Sequence, residues 1–322
     1  MTKHNLKATC ETVHFGGFSS QLEPALTVDS GDRIDVETYT AFCLKEEFPR
    51  DLITPDLQEI IRDLPEERKL GPGNHLLTGP ICVKGAEPGD VLEVGLEEIS
   101  LTQPVGFNLI RPGWGGLPDR FSEVSLRAIP LDLEQGIAEF PAGKGIRIPL
   151  RPFFGVLGVA LPEKNVSSIP PGKHGGNMDN RHFLPGSRVF LPVFVPGALF
   201  SLGDGHAVQG DGEVNLTAIE ASMKGTITLT LHKDMKLTSP VAETPEHIIA
   251  MGFGRTLDDA FEEALLQAIN ILEKNAGLSF EEAYVLCSLR VNFHITQVVN
   301  PPQRGVHAMI PKAIFQDGME LS

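Results

Sequence analysis

Cysteine is scarce. The 322 residues contain four, Cys10, Cys43, Cys82 and Cys287, far apart and without a CxxC pair. That spacing excludes a thiolate metal cage. Cys82 in GPICV and Cys287 in YVLCSL lie in apolar runs, where cysteine acts as a small buried hydrophobe. Long hydrophobic runs are missing too. No window approaches the ~18 apolar residues of a membrane span, and MTKHNLKATCETVHF has no apolar core of signal-peptide length. A cytoplasmic setting is the expectation. Basic clusters are also absent: 27 Lys and Arg are spread against 42 Asp and Glu, for a net charge of −15. Nucleic acid, which demands a basic face, is excluded as a partner.

What is present is a hydrophobic fraction of 41%, enough for real cores. Glycine (33) and proline (25) are plentiful, which suits many short strands joined by turns. No repeat or low-complexity segment interrupts the chain. One helix is expected early, TPDLQEIIRDL, with Thr54 as N-cap and Pro55 at the first helical position. Gly106 to Gly116 reads as a glycine-rich loop around Trp114, the single tryptophan. SSIPPGKHGGNMDNRHFLPGSRV reads as a long loop, a kind of segment that is often functional.

After about residue 240 the period changes. TLDDAFEEALLQAINILEKNAG carries a Thr256/Asp259 capping box, a face of Leu257, Phe261, Leu265 and Ile269, and Gly277 as a stop. SFEEAYVLCSL repeats the device with Ser279 and Glu282, and VNFHITQVV alternates as a strand. The expected fold is mainly β with an α+β C-terminal part, in sandwich- or barrel-like lobes sharing one active-site mouth. The expected division is a β-rich lobe over 1–135, a central β lobe with glycine-rich loops over 136–238, and the α+β part over 239–322.

The stretch GDGHAVQGDGE, Gly203 to Glu213, concentrates chemistry on a glycine frame. It reads as two GDG turns around His206. Asp204 and His206 are two apart, so on extended chain their side chains share a face. Glu213, after the second turn, can return beside them. One imidazole with two carboxylates is a ligand set for a hydrolytic divalent metal, and zinc suits the nitrogen. The bare pattern also reads as two surface turns with solvated aspartates, but the flanking strands look buried. Asn74 and His75 in GPGNHLLTGP, and His174, Asn177, Asp179 and His182 in HGGNMDNRH, are further polar groups on Gly/Pro-shaped loops.

Taken in order, GNHLLTGPI, EPGDVLEV, IPLRPFFGVLGVA, PPGKHGGNMD, LPVFVPGALFSLGDGHAVQGDGEV and TAIE resemble the acetamidase/formamidase family of small-amide hydrolases. The resemblance runs from about His14 to Phe315. It implies a cytoplasmic homo-oligomer that hydrolyses formamide, acetamide or a similar short amide, with a bound divalent metal. The family's motif positions fall on Asn74, His75, Asn177, Asp179, Asp204, His206, Gln209, Asp211, Glu213 and Glu220. Two departures, Gly17–Phe18 after the HFG and Asn292 where many members carry Asp, lie outside the central block.

Within those motifs, a metal-activated water fills the need for a nucleophile, since no cysteine stands in a polar motif. His75, Asp204 and His206 are the expected metal ligands and Glu213 the general base. Asn177 is expected to hold the amide carbonyl, and Asp179 to orient or ligate. The rival expectation is a small-ligand-binding protein with structural calcium in its acidic loops, which oxygen-only ligands would favour.

Overall fold

The computed structural model describes residues 1–40, 53–316, 318, 319 and 321; Cys43 lies outside them. Strands dominate, and the two long helices lie near the C-terminus ahead of the last two strands, as the change of period after residue 240 requires. Two large sheets carry the fold. The first has nine strands among the described residues. Its order is Lys3–Leu6, Asp32–Thr38, Met223–His232, Val91–Leu101, Arg188–Pro192, Val241–Glu243, His247–Gly254, Arg304–Pro311 and Asn292–Gln297. The second runs from Arg147–Pro149 through Ile137–Glu139, Ser125–Asp132, Val105–Ile110, Ile219–Glu220, Phe200–Val208 and Phe153–Gly158 to Gly175–Asn177. Leu76–Val83 pairs with Phe200–Val208 and carries Val13–Phe15 and Leu26–Val28 at its side. The main apolar core packs residues of both sheets together, among them Ile34, Val94, Phe154, Leu157, Phe200, Leu202 and Ile227.

Helix α1 (Pro55–Asp63) begins as expected, with the Thr54 side chain accepting from Leu57 N and proline at N1. Helix α2 (Leu257–Ala276) has the Thr256/Asp259 capping box and a left-handed Gly277 cap; α3 (Phe280–Arg290) has the Ser279/Glu282 box. The buried face of α2 differs in part from the one expected. It is a stripe of Ala260, Ala264 and Ala268 with Ile269, Ile271 and Leu272, while Phe261 is 43% exposed. Close packing explains the choice. A Cβ on Gly252 of the strand beneath would come within 2.1 Å of Ala260 O and 2.3 Å of Ala264 N, so only small residues fit between helix and sheet. Phe261 packs on Phe293 instead, ring centroids 4.8 Å apart.

Two expected loops contain strand. Gly106 to Ile110 belongs to the Val105–Ile110 strand, paired with Ser125–Asp132 over six residue pairs, and the loop around Trp114 starts only after it. Gly175–Asn177 forms a short strand against Phe153–Gly158. No described helix is long and apolar enough to cross a membrane.

Candidate active site

The first GDG is not a turn. Gly203 to His206 lies inside the Phe200–Val208 strand, and the glycines answer a packing need rather than a bend. A Cβ on Gly203 would meet Leu76 O at 2.6 Å, and one on Gly205 would meet Ala221 O at 2.4 Å. The face carrying Gly203 and Gly205 is pressed onto neighbouring strands, so Asp204 and His206 leave the opposite face together. His206 Nε2 stands 3.2 Å from Asp204 Oδ2. The second GDG does turn: Gly212 (φ 98°) and Glu213 (φ 45°) are left-handed, and the turn brings Glu213 back to the strand's polar face.

Neighbouring strands supply the rest. Glu220 is the direct cross-strand partner of His206, and its Oε2 lies 3.4 Å from His206 Nε2. Gly155 O accepts from both Met178 N and Asp179 N at 3.1 Å, which holds Asp179 over the same spot. His206 Nε2 is 3.8 Å from Asp179 Oδ1. Asn300 Nδ2 donates to Asp179 Oδ2. His75, just before the Leu76–Val83 strand, bonds Ser168 Oγ through Nδ1 (2.9 Å) and points Nε2 at Asp204 Oδ2 from 3.8 Å. All six expected residues therefore line one place, and Glu220, Gln209, Gly155 and Asn300 join them.

Asp179, Asp204 and Glu213 all have positive φ (49°, 55° and 45°), a region non-glycine residues seldom occupy. Three strained carboxylates in one site require a surrounding structure that over-determines them, which is characteristic of functional centres.

Gln209 fixes the state of His206. Its Nε2 donates to Asp179 O (2.8 Å), so its Oε1 faces His206 Nδ1, also at 2.8 Å, and accepts from it. His206 Nε2 faces the carboxylate oxygens of Asp204 and Glu220 but makes no well-directed hydrogen bond among the described residues; nor do Asp179 Oδ1 and Glu213 Oε2. The charges are out of balance. Burial pushes Asp179 up; burial and the Asp179 charge push Glu213 well above the usual carboxylate range. Burial, helped by Asp204, raises Glu220 to about 7. Burial opposes the charge on Asp204, but His75 and His206 overcome it and hold its carboxyl low. Burial likewise opposes charge on His206, which Glu220 and Asp204 nonetheless hold well above the usual imidazole value. Three buried carboxylates, Asp179, Glu213 and Glu220, together with the largely buried Asp204, are costly around one imidazole unless a cation joins them.

The donors fit such a cation. Asp179, Asp204 and His206 offer atoms within 4.8 Å of one another, and so do His206, Glu213 and Glu220. The space they frame lies over Gly155, where a Cβ would fall 2.6 Å from Asp179 Oδ1, 2.9 Å from Asp204 Oδ2 and 2.9 Å from His206 Cε1. His75 stands at the edge of these groups rather than in either.

A cavity of about 200 Å³ opens on the cluster, walled by His75, Asn177, Leu109, Ile169, Trp114 and Val299 among others. It is smaller than the ~300–1,000 Å³ of common ligand pockets and suits a molecule of a few heavy atoms. Asn177 Nδ2 donates to Ile169 O (3.1 Å), which leaves buried Oδ1 as the free atom. That atom can only accept a hydrogen bond. None of the described cysteines lines the cavity, and burial pushes the Cys287 thiol up to about 11.

Of the residues beyond the six expected, Glu220 and Gln209 carry a motif signal. Asn300 carries none, and Gly155 lies in a matched motif without a readable role: a glycine in FFGVLG and an asparagine before two prolines acquire meaning only through long-range pairing.

Comparison with known proteins shows the family and the fold. The profile of the Acetamidase/Formamidase family matches residues 8–168 and 160–317. A formamidase of Methylophilus methylotrophus is 29% identical over 315 residues, covering 75% of this chain and 77% of that one. The crystal structure of a predicted acetamidase/formamidase from Thermoanaerobacter tengcongensis superposes with a TM-score of 0.84 at 31% identity, over 98% of both chains. An acetamidase structure from Bacillus halodurans gives 0.82 at 29% identity, over 97% of this chain and 99% of that one.

Proposed function

Because the chain belongs to the acetamidase/formamidase family, and so is a hydrolase of linear amides, we propose that it cleaves a short aliphatic amide of the formamide or acetamide type to ammonia and the carboxylic acid, using water activated at the His206 cluster. The observation that carries this reading is the buried Nε2 of His206 among four carboxylates, over a glycine whose Cβ would fill the space. Asp179, Asp204 and His206 are the proposed ligands of a divalent ion. The imidazole nitrogen favours zinc over calcium. When bound, such an ion lowers the pKa of water towards ~7 and polarises a carbonyl.

The chain's own groups do the rest. Glu213, once its negative charge is compensated, accepts the proton of the attacking water. It then delivers that proton to the departing nitrogen, so the C–N bond breaks with ammonia as a neutral leaving group. Asn177 Oδ1 accepts from the substrate N–H and sets which end of the amide faces the water. Gln209 keeps His206 in the tautomer whose Nε2 is free. His75, braced by Ser168, holds Asp204 from the rim. Leu109, Ile169 and Val299 limit the acyl group to a small one.

Homo-oligomerisation is part of the proposal. Phe280, Tyr284, Val285 and Leu289 are between 50% and 71% exposed over the outward half of α3, apolar surface that a second copy would cover.

The experiment compares two variants for ammonia release and metal content. Glu213→Gln keeps size but cannot take a proton, so turnover falls about 10²–10⁴-fold while the metal stays. His206→Ala loses metal and turnover together. Full activity in verified metal-free protein refutes the metal; Glu213→Gln losing its metal while His206→Ala keeps it reverses the two roles.

A further inference from the structure

A second group of imidazoles gathers outside the cavity. His182 follows the Gly175–Asn177 strand, Asp211 is the tip of the second GDG turn, and His307 lies on the Arg304–Pro311 strand. Each offers one ligand atom within 4.8 Å of the other two. His307 is fully buried, and its Nδ1 is engaged by Thr296 Oγ1 at 2.7 Å. Its Nε2 is buried with no hydrogen-bond partner among the described residues, and so is Nε2 of His182. The His182 and His307 rings stand edge to face at 5.2 Å. His294 stacks on His307 at 5.2 Å and 11° and turns Nδ1 towards Asp211 Oδ2 at 3.5 Å, bracing the carboxylate.

Two bare imidazole nitrogens facing a braced carboxylate are unsatisfied as they stand. A water could serve one or both nitrogens, but it would not explain why a carboxylate is held opposite them. We propose that His182, Asp211 and His307 form a second metal site, separate from the His206 cluster and specific for zinc or a similar late first-row divalent ion. Nitrogen and carboxylate donors with an outer hydrogen bond on Nδ1 are the chemistry such ions select. The donors need only small side-chain rotations to approach the ~2.0–2.2 Å bonds of a zinc centre. Asp211 is partly exposed, so solvent completes the coordination from outside.

The site's role is to tie three distant segments together and hold the turn that bears Glu213. Gly212, between Asp211 and Glu213, donates to Thr296 O (3.1 Å) and accepts from Val298 N (3.1 Å). Thr296 in turn holds His307. An ion on Asp211 and His307 closes this loop of contacts, fixing the turn against the Asn292–Gln297 strand. Glu213 is thereby set two residues away without touching the ion.

The test counts zinc per chain after chelator treatment, back-titration with zinc and removal of excess. Wild type is expected to hold two. Asp204→Asn/His206→Ala removes the active-site ion and keeps one; its melting temperature rises on adding zinc. Adding His182→Ala to that background abolishes both the remaining zinc and the shift. Because His307→Ala risks unfolding a buried position, the half-buried His182→Ala and exposed Asp211→Asn, each checked by circular dichroism, carry the decision. Loss of one zinc from either one supports the second site. An unchanged zinc count in both folded variants overturns it. A wild type with one zinc that vanishes in His182→Ala supports this site while refuting the ion at His206.

Discussion

At the residue scale the centre depends on what is left out as much as on what is present. Gly155 has no positive φ, so alanine is compatible with its backbone, yet the added methyl would fall within 2.9 Å of Asp204 Oδ2 and nearer still to Asp179 Oδ1. Gly155→Ala is therefore expected to displace site carboxylates by about an ångström and lower kcat/KM about 10²-fold. Circular dichroism should stay close to wild type. An alanine variant with full activity would show that the space over Gly155 is not needed. The residues proposed to bind and react were readable because their types declare chemistry: Asp-x-His on one face, and an acid after a turn. Gly155 was not, because its meaning lies in a distance to Asp179, 24 positions later, that only the sheet creates. Asn177 shows the same limit differently. Its place was legible, but which end of its amide is free depends on Ile169 O.

At the scale of elements, caps and periods were reliable where the signal is local. Thr54, Thr256 and Ser279 cap helices through their side chains, and Gly277 ends α2 through its left-handed backbone. Of the face expected for α2, Ile269 is buried and Leu257 and Leu265 pack at the edge of the core, but Phe261 faces outward, because the packing distance selects alanine over a large side chain. This yields a prediction. Ala264→Leu forces a larger side chain against Gly252, where backbone already approaches closely, and should destabilise the fold by about 1–3 kcal/mol in urea unfolding. Phe261→Ala, at a position 43% exposed, should cost less than Ala264→Leu. The opposite order would mean that α2 is held by its large residues after all. The first GDG was misread for a related reason. Glycine signals a turn in isolation, but on a central strand it marks close approach of a neighbour, here Leu76 O and Ala221 O.

At the scale of the whole molecule, the excess of acid over base conceals several buried imidazoles that cannot easily take a proton. His14, fully buried and bonded through Nε2 to Ser201 Oγ (2.8 Å), is lowered to about 3 by burial, with the Arg68 charge adding to it. His174, equally buried, is lowered to about 4 by burial and then by Lys173. In the unfolded chain both titrate near ~6.5. Below that pH the unfolded state binds protons the folded state refuses, so stability is complete above about 6.5 and falls as the pH drops towards the folded values. Each such histidine contributes a slope of up to about 1.4 kcal/mol per pH unit across its window. Other groups titrate in the same range, so the measurement must be a difference. His14→Gln keeps a hydrogen-bonding side chain that gains no proton. It should be less stable than wild type near pH 7 if the fit to Ser201 is imperfect, but its stability should fall less steeply between pH 6 and pH 4. Denaturant unfolding of both proteins at a series of pH values gives the two curves. They should converge, or cross, by about 2.5 kcal/mol between pH 6 and pH 4. Parallel curves would mean that His14 takes up its proton in the folded protein as readily as in the unfolded one, and that its burial beside Ser201 does not govern acid stability.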